Sequence, residues 1–237
     1  MALSKMNTNG EKTLVVGVTG ASGAVYAVRL LEVLITAGYD VHLSISPAGK
    51  MVIKQELDLR VDLDAFKPAS LLIGDAAGGT DSKLEMLRTM AGISSEDSSV
   101  LSIRQGEPGK IHYHRYDDYF APIASGWFLT SGMVICPCSL SSLAAISGAT
   151  STNLIHRAAE VHLKERRPLV LVPRETPLSA IHLENMRRAA ESGAVVLPAM
   201  PGWYHGVKTI RDLVDFVVAR ICDQLGVRNT LIRRWGE

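Results

Sequence analysis

The chain has 237 residues, of which 47% are hydrophobic and 21% charged, a balance that supports a sizeable core and excludes whole-chain disorder. Its formal charge of +1 creates no global field that would recruit a nucleic-acid backbone or an anionic membrane surface. The length fits one large α/β domain. We therefore expect a single domain over residues 1–237 that recognises any anion locally.

The cysteines and the N-terminus indicate the compartment. Cys136, Cys138 and Cys222 are too few for a disulfide framework with a paired pattern or for a four-thiolate zinc site. The first residues hold no apolar stretch of signal-peptide length, and no later run approaches the roughly 18 apolar residues of a membrane span. We expect a cytoplasmic protein in a reducing environment, with no membrane and no nucleic-acid partner.

Short runs rich in Val, Ile and Leu alternate with amphipathic stretches along the chain. The runs predict strands at Leu14–Val18, Val41–Ser46, Met133–Cys136, Leu169–Val172 and Ala194–Leu197. The stretches predict helices at Ala24–Ala37, Asn153–Arg166, Ile181–Glu191 and Ile210–Leu225. Because the runs are almost continuously apolar, the strands should be buried on both faces. The alternation predicts an α/β fold with a three-layer doubly wound parallel sheet, Rossmann-like or flavodoxin-like.

Two further segments complete this pattern. The last helix has an apolar stripe at helical spacing, which should pack on the sheet, and Asp212, Asp215 and Asp223 on the opposite face. Residues 60–110 contain glycine and serine clusters and little periodicity. We expect this segment to be an insertion into the domain.

Ligands of open parallel sheets bind beyond the carboxyl ends of the strands. The first run is followed by Gly20, Ala21, Ser22 and Gly23 and then by a helix, an arrangement that offers backbone N–H groups to an anion or a cofactor chain. The dinucleotide spacing G-x-G-x-x-G is absent, and the second run ends in Ser46 rather than in an acidic residue. This disfavours a nicotinamide dinucleotide.

The third run ends in Cys136-Pro137-Cys138 and is followed by Ser139, Leu140, Ser141 and Ser142. Ser139 is either a helix N-cap or, with Ser142, a ligand for the polar edge of a cofactor. The two cysteines are separated by one residue in an extended segment. This spacing favours packing over a redox pair.

Charged and aromatic residues near the ends of the later strands each allow two interpretations, a structural role or a role in ligand binding. Arg174-Glu175 after the fourth run fits a surface loop as well as an active site. Tyr204 follows the fifth run on a proline-stiffened loop, where it could line a planar ligand or cover the core.

Basic residues on the helices are equally open between a solvated surface and an anion site. Arg157 and Lys164 share a helix face with Glu160, and a Glu160–Lys164 pair is the simplest expectation. Arg220 flanks the apolar stripe of the last helix, where its guanidinium could reach an anion.

Two histidines raise the question of a metal site. His112 and His114 alternate on one face of a possible strand, which is a suitable start for metal ligation. Because no third ligand is spaced to complete the set, we expect no metal.

Six segments in order carry a resemblance to a known family. They are Gly20–Gly23, Cys136–Ser139, Asn153–Glu160, Leu163–Arg167, Pro173–Pro177 and His182–Met186. In this combination they resemble the UbiX family of flavin prenyltransferases, which implies a flavoprotein fold. The resemblance covers Lys12–Ser46 and about Ala121 to the C-terminus, and it is weak over residues 60–110.

The resemblance implies that reduced FMN is the prenyl acceptor and that no metal is needed. By analogy with the family, FMN would contact Gly20, Ala21, Ser22, Gly23, Ser46, Ser139, Leu140, Ser141, Ser142 and Arg157. The prenyl donor, dimethylallyl monophosphate, would contact Ser125, Lys164, Arg174, Tyr204 and Arg220. Catalytic roles would fall to Glu56, Glu175, Ser22 and Trp235. The family also implies a homododecamer with sites at subunit interfaces and a UbiD-type decarboxylase as recipient of the prenylated FMN.

Departures from the family pattern leave alternatives. Trp127 stands where the family usually has Ser, and it could narrow the donor site or belong to the core. Ser141-Ser142 replaces a common Lys-Thr pair but keeps hydroxyl groups. A flavin-dependent cysteine decarboxylase of the same fold and a non-catalytic flavin carrier remain the alternatives.

Overall fold

The computed structural model describes residues 12–71, 107–204 and 206–232. The strands are β1 (Thr13–Val18), β2 (Asp40–Ile45), β3 (Ile111–Tyr113), β4 (Gly132–Cys138), β5 (Leu169–Pro173) and β6 (Val195–Val196). The helices are α1 (Ala24–Thr36), α2 (Pro47–Leu57), α3 (Leu140–Ser147), α4 (Leu154–Lys164), α5 (Ala180–Glu191) and α6 (Ile210–Gln224). The strands pair in parallel in the order β3-β2-β1-β4-β5-β6. This confirms the predicted doubly wound sheet.

Helices cover both faces of the sheet. Leu14, Val16 and Val18 of β1 belong to an apolar cluster with residues of α1, α2 and α6. Val15, between them, belongs to a second cluster with residues of α3, α4 and α5. Because successive strand residues point to opposite faces, a continuously apolar strand fills both clusters. The molecule is therefore a three-layer sandwich, as predicted.

Two helices were missing from the predicted elements, and β3 was expected only as a possible strand around His112 and His114. Helix α2 buries only Gly49, Ile53 and Leu57, about one residue per turn. Its apolar face is therefore too narrow to be recognised as a helical pattern in the sequence. Helix α3 begins at the predicted N-cap Ser139 but contains only eight residues. Strand β3 contains three residues, fewer than a pattern of alternation needs.

Parts of the predicted insertion over residues 60–110 lie outside the described residues. Within the described part, Pro68–Ser70 form a short 3-10 turn, and residues 107–110 lead into β3. The insertion therefore stays a prediction. Across the described ranges, none of the helices combines the length and apolar composition that a bilayer crossing requires.

The expectation that Asp215 lies on the solvent-facing side of the last helix was wrong. Asp215 is 5% exposed, and its Oδ1 accepts a hydrogen bond of 2.7 Å from Nε of the fully buried Arg29 on α1. Arg29 Nη1 also bonds Glu32 at 3.1 Å. A carboxylate can be buried on an apolar face when a buried cation neutralises it. Helices α1 and α6 are thus joined by an ion pair inside the apolar cluster.

Three histidine rings stack at the β2–β3 edge of the sheet. His42 lies 4.9 Å from His112 and 5.0 Å from His114 between ring centroids, and its Nδ1 is 2.8 Å from Nε2 of His114. Phe128 packs against the same ring. Burial, and to a lesser degree the charges of His114 and His112, lower the pKa of His42 to about 4.

This histidine stack predicts a loss of stability in mild acid. Unfolded His42 takes up a proton near its ordinary pKa of about 6.5, whereas the folded chain resists protonation until about pH 4. The free energy of unfolding should therefore fall as pH drops below 6.5, by about 1 kcal/mol per pH unit from this residue. Urea unfolding gives the free energy of unfolding at neutral pH and at mildly acidic pH. The difference between the two values should be smaller for His42→Phe than for the wild-type protein. An identical pH dependence in the variant would contradict this assignment.

Candidate active site

The sheet changes winding direction between β1 and β4. From β1 the chain proceeds through β2 to β3 on one side, and from β4 through β5 to β6 on the other. Open α/β sheets bind ligands in the crevice at such a point, beyond the carboxyl ends of the strands. The loops that flank this crevice are those predicted to bind a cofactor, Gly20–Gly23 after β1 and Ser139–Ser142 after β4.

Thr19 ties these two loops together. Its Oγ1 donates a hydrogen bond of 2.8 Å to the carbonyl of Pro137 and accepts one of 2.7 Å from the N–H of Ser139. The side chain is buried, so both bonds are shielded from water. Thr19 was not predicted as a site residue, because its partners lie more than a hundred residues away along the chain. Its position directly before the predicted ligand loop is the sequence feature that could have indicated this role.

Glu56 on α2 binds the N-terminus of α1. Its Oε2 accepts hydrogen bonds from the N–H groups of Gly23 (3.0 Å) and Ala24 (2.8 Å). Gly23 has φ 114°, a conformation that favours glycine. A helix N-terminus attracts anions, and here the chain's own carboxylate occupies that position. Gly23 is predicted to contact the flavin. In this structure its N–H group is hydrogen-bonded to Glu56 instead.

Ser46 and Gly20 form the other side of the crevice. Ser46 is the N-cap of α2, and its Oγ accepts a hydrogen bond of 3.0 Å from the N–H of Gly49. A Cβ on Gly20 would lie 2.5 Å from Cβ of Ala48, so only glycine fits there. The first loop is thus packed directly against the start of α2, with Ala21 buried and Ser22 half-buried beside it.

Hydroxyl groups and a histidine form a network at the start of α3. Ser139 Oγ lies 3.0 Å from the hydroxyls of both Ser141 and Ser142, and Ser142 Oγ lies 3.2 Å from Nε2 of His156. Ser139 is also the N-cap of α3. Burial lowers the pKa of His156, so the neutral ring is favoured. Of these hydroxyls, that of Ser141 belongs to an exposed residue.

A groove of about 630 Å³ brings together three predicted site residues, Ser125, Arg157 and Lys164. Nε of Arg157 donates a hydrogen bond of 3.2 Å to the carbonyl of Ala124. The expected Glu160–Lys164 pair was wrong. Lys164 Nζ instead lies 2.8 Å from Glu165, and Glu160 lies 3.9 Å from Arg157, because each carboxylate reaches a nearer cation.

Arg174 and Glu175 lie in a second, small cavity at the end of β5, with a volume of about 60 Å³. Nε of Arg174 is buried and has no hydrogen-bond partner. Oε1 of Glu175 accepts a hydrogen bond of 3.0 Å from the N–H of Thr176. A buried donor without a partner costs about 1–3 kcal/mol, and a bound anion would remove that cost.

The remaining predicted donor residues lie elsewhere. Arg220 Nη1 donates a hydrogen bond of 3.0 Å to Asp223, and the exposed ring of Tyr204 packs edge-on against Phe216 at 5.8 Å. Trp235 lies outside the described residues. Within one subunit the predicted donor residues therefore lie in separate groups, with Ser125 and Lys164 in the groove and Arg174 in the small cavity.

Cys136 and Cys138 are buried free thiols, in agreement with the predicted packing role. Burial raises the pKa of Cys138 to about 12 and that of Cys136 well above its ordinary value. Neither thiol therefore forms a reactive thiolate near neutral pH. Within the described ranges, His, Cys, Asp and Glu side chains form no group of three or more that could hold a metal ion.

Comparison with known proteins agrees with this geometry. Residues 2–222 match the Flavoprotein family. The chain is 44% identical over 232 residues to a flavin prenyltransferase UbiX of Alkalihalophilus pseudofirmus, covering 98% of this chain and 100% of the relative. A crystal structure of AnUbiX (PadA1) in complex with FMN and dimethylallyl pyrophosphate is 33% identical, with a TM-score of 0.74 and coverage of 95% of this chain and 98% of that one.

A second solved structure has a similar degree of likeness. It is a dodecameric FMN-dependent UbiX-like decarboxylase from Escherichia coli O157:H7, 33% identical with a TM-score of 0.69. It covers 95% of this chain and 100% of its own length. Identity at this level over nearly the whole chain establishes the relationship. The chain belongs to the Flavoprotein family and, within it, to the UbiX flavin prenyltransferases.

Proposed function

We propose that this protein is a flavin prenyltransferase that joins a dimethylallyl group from dimethylallyl monophosphate to N5 and C6 of reduced FMN. The observation that carries the proposal is the groove that contains Ser125, Arg157 and Lys164. Its lining combines the cations Arg157 and Lys164 with the apolar side chains Trp127 and Leu129. A phosphate ester with a short hydrocarbon tail needs both kinds of surface. A carrier of FMN alone has no use for the predicted phosphate-binding set Lys164, Arg174, Tyr204 and Arg220 in addition to the flavin site.

The residues of the crevice fit FMN as the acceptor substrate. Gly20 packs against Ala48 with no room for a side chain, which holds the first loop in place at the edge of the crevice. Ser46, Ser139 and Ser141 would supply hydroxyls to the flavin, and Arg157 would supply a charge. We assign the flavin to this crevice, with Leu140 and Ser142 supporting the loop after β4.

The donor site needs cations that accept a leaving phosphate. Lys164 and Arg174 would bind it together with Tyr204 and Arg220, and Ser125 would contact it from the groove. Since these residues lie in separate places within one chain, we infer that subunits complete the site at their interfaces. Exposed aromatic side chains such as Phe120 and Trp203 support assembly, and the E. coli relative is dodecameric. A homododecamer is the proposed assembly.

In the proposed reaction the allylic C–O bond breaks and its electron pair leaves with the phosphate. N5 of the flavin forms the new C–N bond and loses a proton. The alkene then gains a proton, and C6 closes the fourth ring and loses one, so the flavin gains one isoprene unit overall. Lys164 and Arg174 stabilise the leaving group by charge, and Trp235 would stabilise the allyl cation through its π face.

Two carboxylates would handle these protons. Glu56 is fixed by the N–H groups of Gly23 and Ala24 at the edge of the crevice, and Glu175 adjoins Arg174. A carboxylate held near both flavin and phosphate suits proton transfer. Ser22, which precedes Gly23 in the first loop and is half-buried, would orient the flavin. We expect the prenylated FMN to serve a UbiD-type decarboxylase.

Phosphate release under anaerobic conditions tests the proposal. With reduced FMN in large excess over protein, dimethylallyl monophosphate should yield phosphate over many turnovers, and omission of FMN should abolish release. The pyrophosphate donor, present in the AnUbiX structure, should be compared in parallel. A protein that binds FMN but releases neither phosphate from the monophosphate nor pyrophosphate from the pyrophosphate would favour the carrier. Decarboxylation of a cysteine peptide would favour the other alternative.

A further inference from the structure

Trp127 is an exposed aromatic side chain on the wall of the groove. Its side chain is 95% exposed, which excludes the core-packing role that the sequence left open. It lines the groove together with Lys164 and Arg157. An indole held in water at a cationic groove provides apolar surface for a ligand or a neighbouring chain.

The loop that carries Trp127 is held firmly on both sides. Arg167 donates from Nη2 to the carbonyl of Gly126 at 2.6 Å and from Nη1 to the carbonyl of Phe128 at 2.7 Å. The N–H of Trp127 itself donates to Oγ of Ser125 at 3.3 Å. Gly126 lies directly against the carboxylate of Glu165, which would have to move to admit a Cβ. The backbone therefore fixes where the indole begins, and the ring cannot leave the groove by a loop movement without breaking these bonds.

The groove is chemically two-sided. Lys164 and Arg157 supply positive charge, while Trp127 and Leu129 supply the large apolar side chains of the lining. Lys164 pairs with Glu165 in an exposed ion pair, which is weak and can yield to a phosphate. A prenyl phosphate bound here would place its phosphate at Lys164, and its hydrocarbon tail would extend toward the indole.

We propose that Trp127 sets the upper limit on the length of the prenyl donor. This inference rests on the proposed function and deepens it, because it assigns the donor specificity to one side chain. An indole on the groove wall, attached to a backbone that Arg167 holds in place, leaves room for a dimethylallyl group and blocks a second isoprene unit. Replacing it with serine removes the ring and leaves the cations and the loop in place.

The test compares dimethylallyl monophosphate with geranyl monophosphate in the wild-type protein and in Trp127→Ser and Trp127→Phe. Anaerobic reactions with reduced FMN give kcat/KM for each donor, and calorimetry gives the affinity for each monophosphate in the absence of turnover. Trp127→Ser should raise the geranyl-to-dimethylallyl ratio about tenfold or more, since differences in hydrocarbon size in an apolar pocket are worth that much. Trp127→Phe should give an intermediate ratio. Ile181→Ser, which removes an exposed apolar side chain of α5 outside the groove lining, should leave the ratio unchanged.

Several results separate this inference from the proposed function. An unchanged ratio in Trp127→Ser, in both kinetics and affinity, would overturn the role of Trp127 while leaving the transferase intact. A smaller assembly of Trp127→Ser on size exclusion with an unchanged ratio would also overturn it and would assign the indole to a subunit contact. Absence of turnover in the wild-type protein, with a shifted affinity ratio in the variant, would contradict the proposed function and support the site.

Discussion

Replacing Arg29 with Met is expected to lower the free energy of unfolding by about 3 kcal/mol, because the change removes the nearest cation from the buried carboxylate of Asp215 and leaves it only the longer contact of 3.4 Å to Nε of Arg211. Arg29 is fully buried, and its Nε lies 2.7 Å from Asp215. Burial lowers the pKa of Arg29, but the bond and charge of Asp215 outweigh it, so the pKa is raised overall. Urea unfolding at neutral pH measures the loss.

Two further variants make this result specific to the buried pair. Arg187→Met removes a cation from an exposed cluster with Glu184 and Glu191, and we expect no measurable change, since exposed pairs contribute little. The double variant Arg29→Met with Asp215→Leu should recover most of the lost stability, because two apolar residues replace the pair. If Arg29→Met and Arg187→Met were equally stable, the buried pair would have no stabilising role.

Replacing Arg174 with Met is expected to lower kcat/KM for the prenyl donor by about 100- to 1000-fold, the typical cost of removing one group that stabilises developing charge. Its Nε is buried without a hydrogen-bond partner at the end of β5. A bound anion would accept the hydrogen bond that this group can donate. FMN affinity should be unchanged, because the proposed flavin residues lie on the loops after β1, β2 and β4 and, for Arg157, on α4. Steady-state kinetics and flavin titration measure the two quantities.

Arg187→Met again serves as the matched control, since it removes the same charge from the surface of α5. It should retain wild-type turnover and wild-type flavin affinity. Full activity of Arg174→Met would remove Arg174 from the donor site. A loss explained by weaker flavin binding would instead move Arg174 to the flavin site.

The sheet and most helices follow from local patterns in the sequence. Val15 and Val16 face opposite layers, and such runs read directly as doubly buried strands. Asp215 shows the limit of this reasoning. Its position on the last helix suggested solvent exposure, whereas its buried partner Arg29 lies 186 positions away along the chain. A local pattern cannot report a pair that only the fold brings together.

The candidate site was likewise predictable from the sequence only in part. Its loops were predictable, because the ends of parallel strands meet at one edge and Gly20–Gly23 and Ser139–Ser142 follow two of them. The links between those loops were not. Thr19 bonds Ser139 across the crevice, and Glu56 bonds Gly23 from another helix. The first contact depends on the pairing of β1 with β4, and the second on the packing of α2 against the first loop. No spacing along the sequence encodes either.

The most direct test of prenyl transfer is the mass of the flavin itself. Purified protein is incubated anaerobically with reduced FMN and dimethylallyl monophosphate, and the flavin is released and weighed by mass spectrometry. We expect a flavin heavier by one isoprene unit than FMN, in amounts that exceed the protein. Unmodified FMN, recovered from protein that still binds it, would contradict the assignment of this chain as a flavin prenyltransferase.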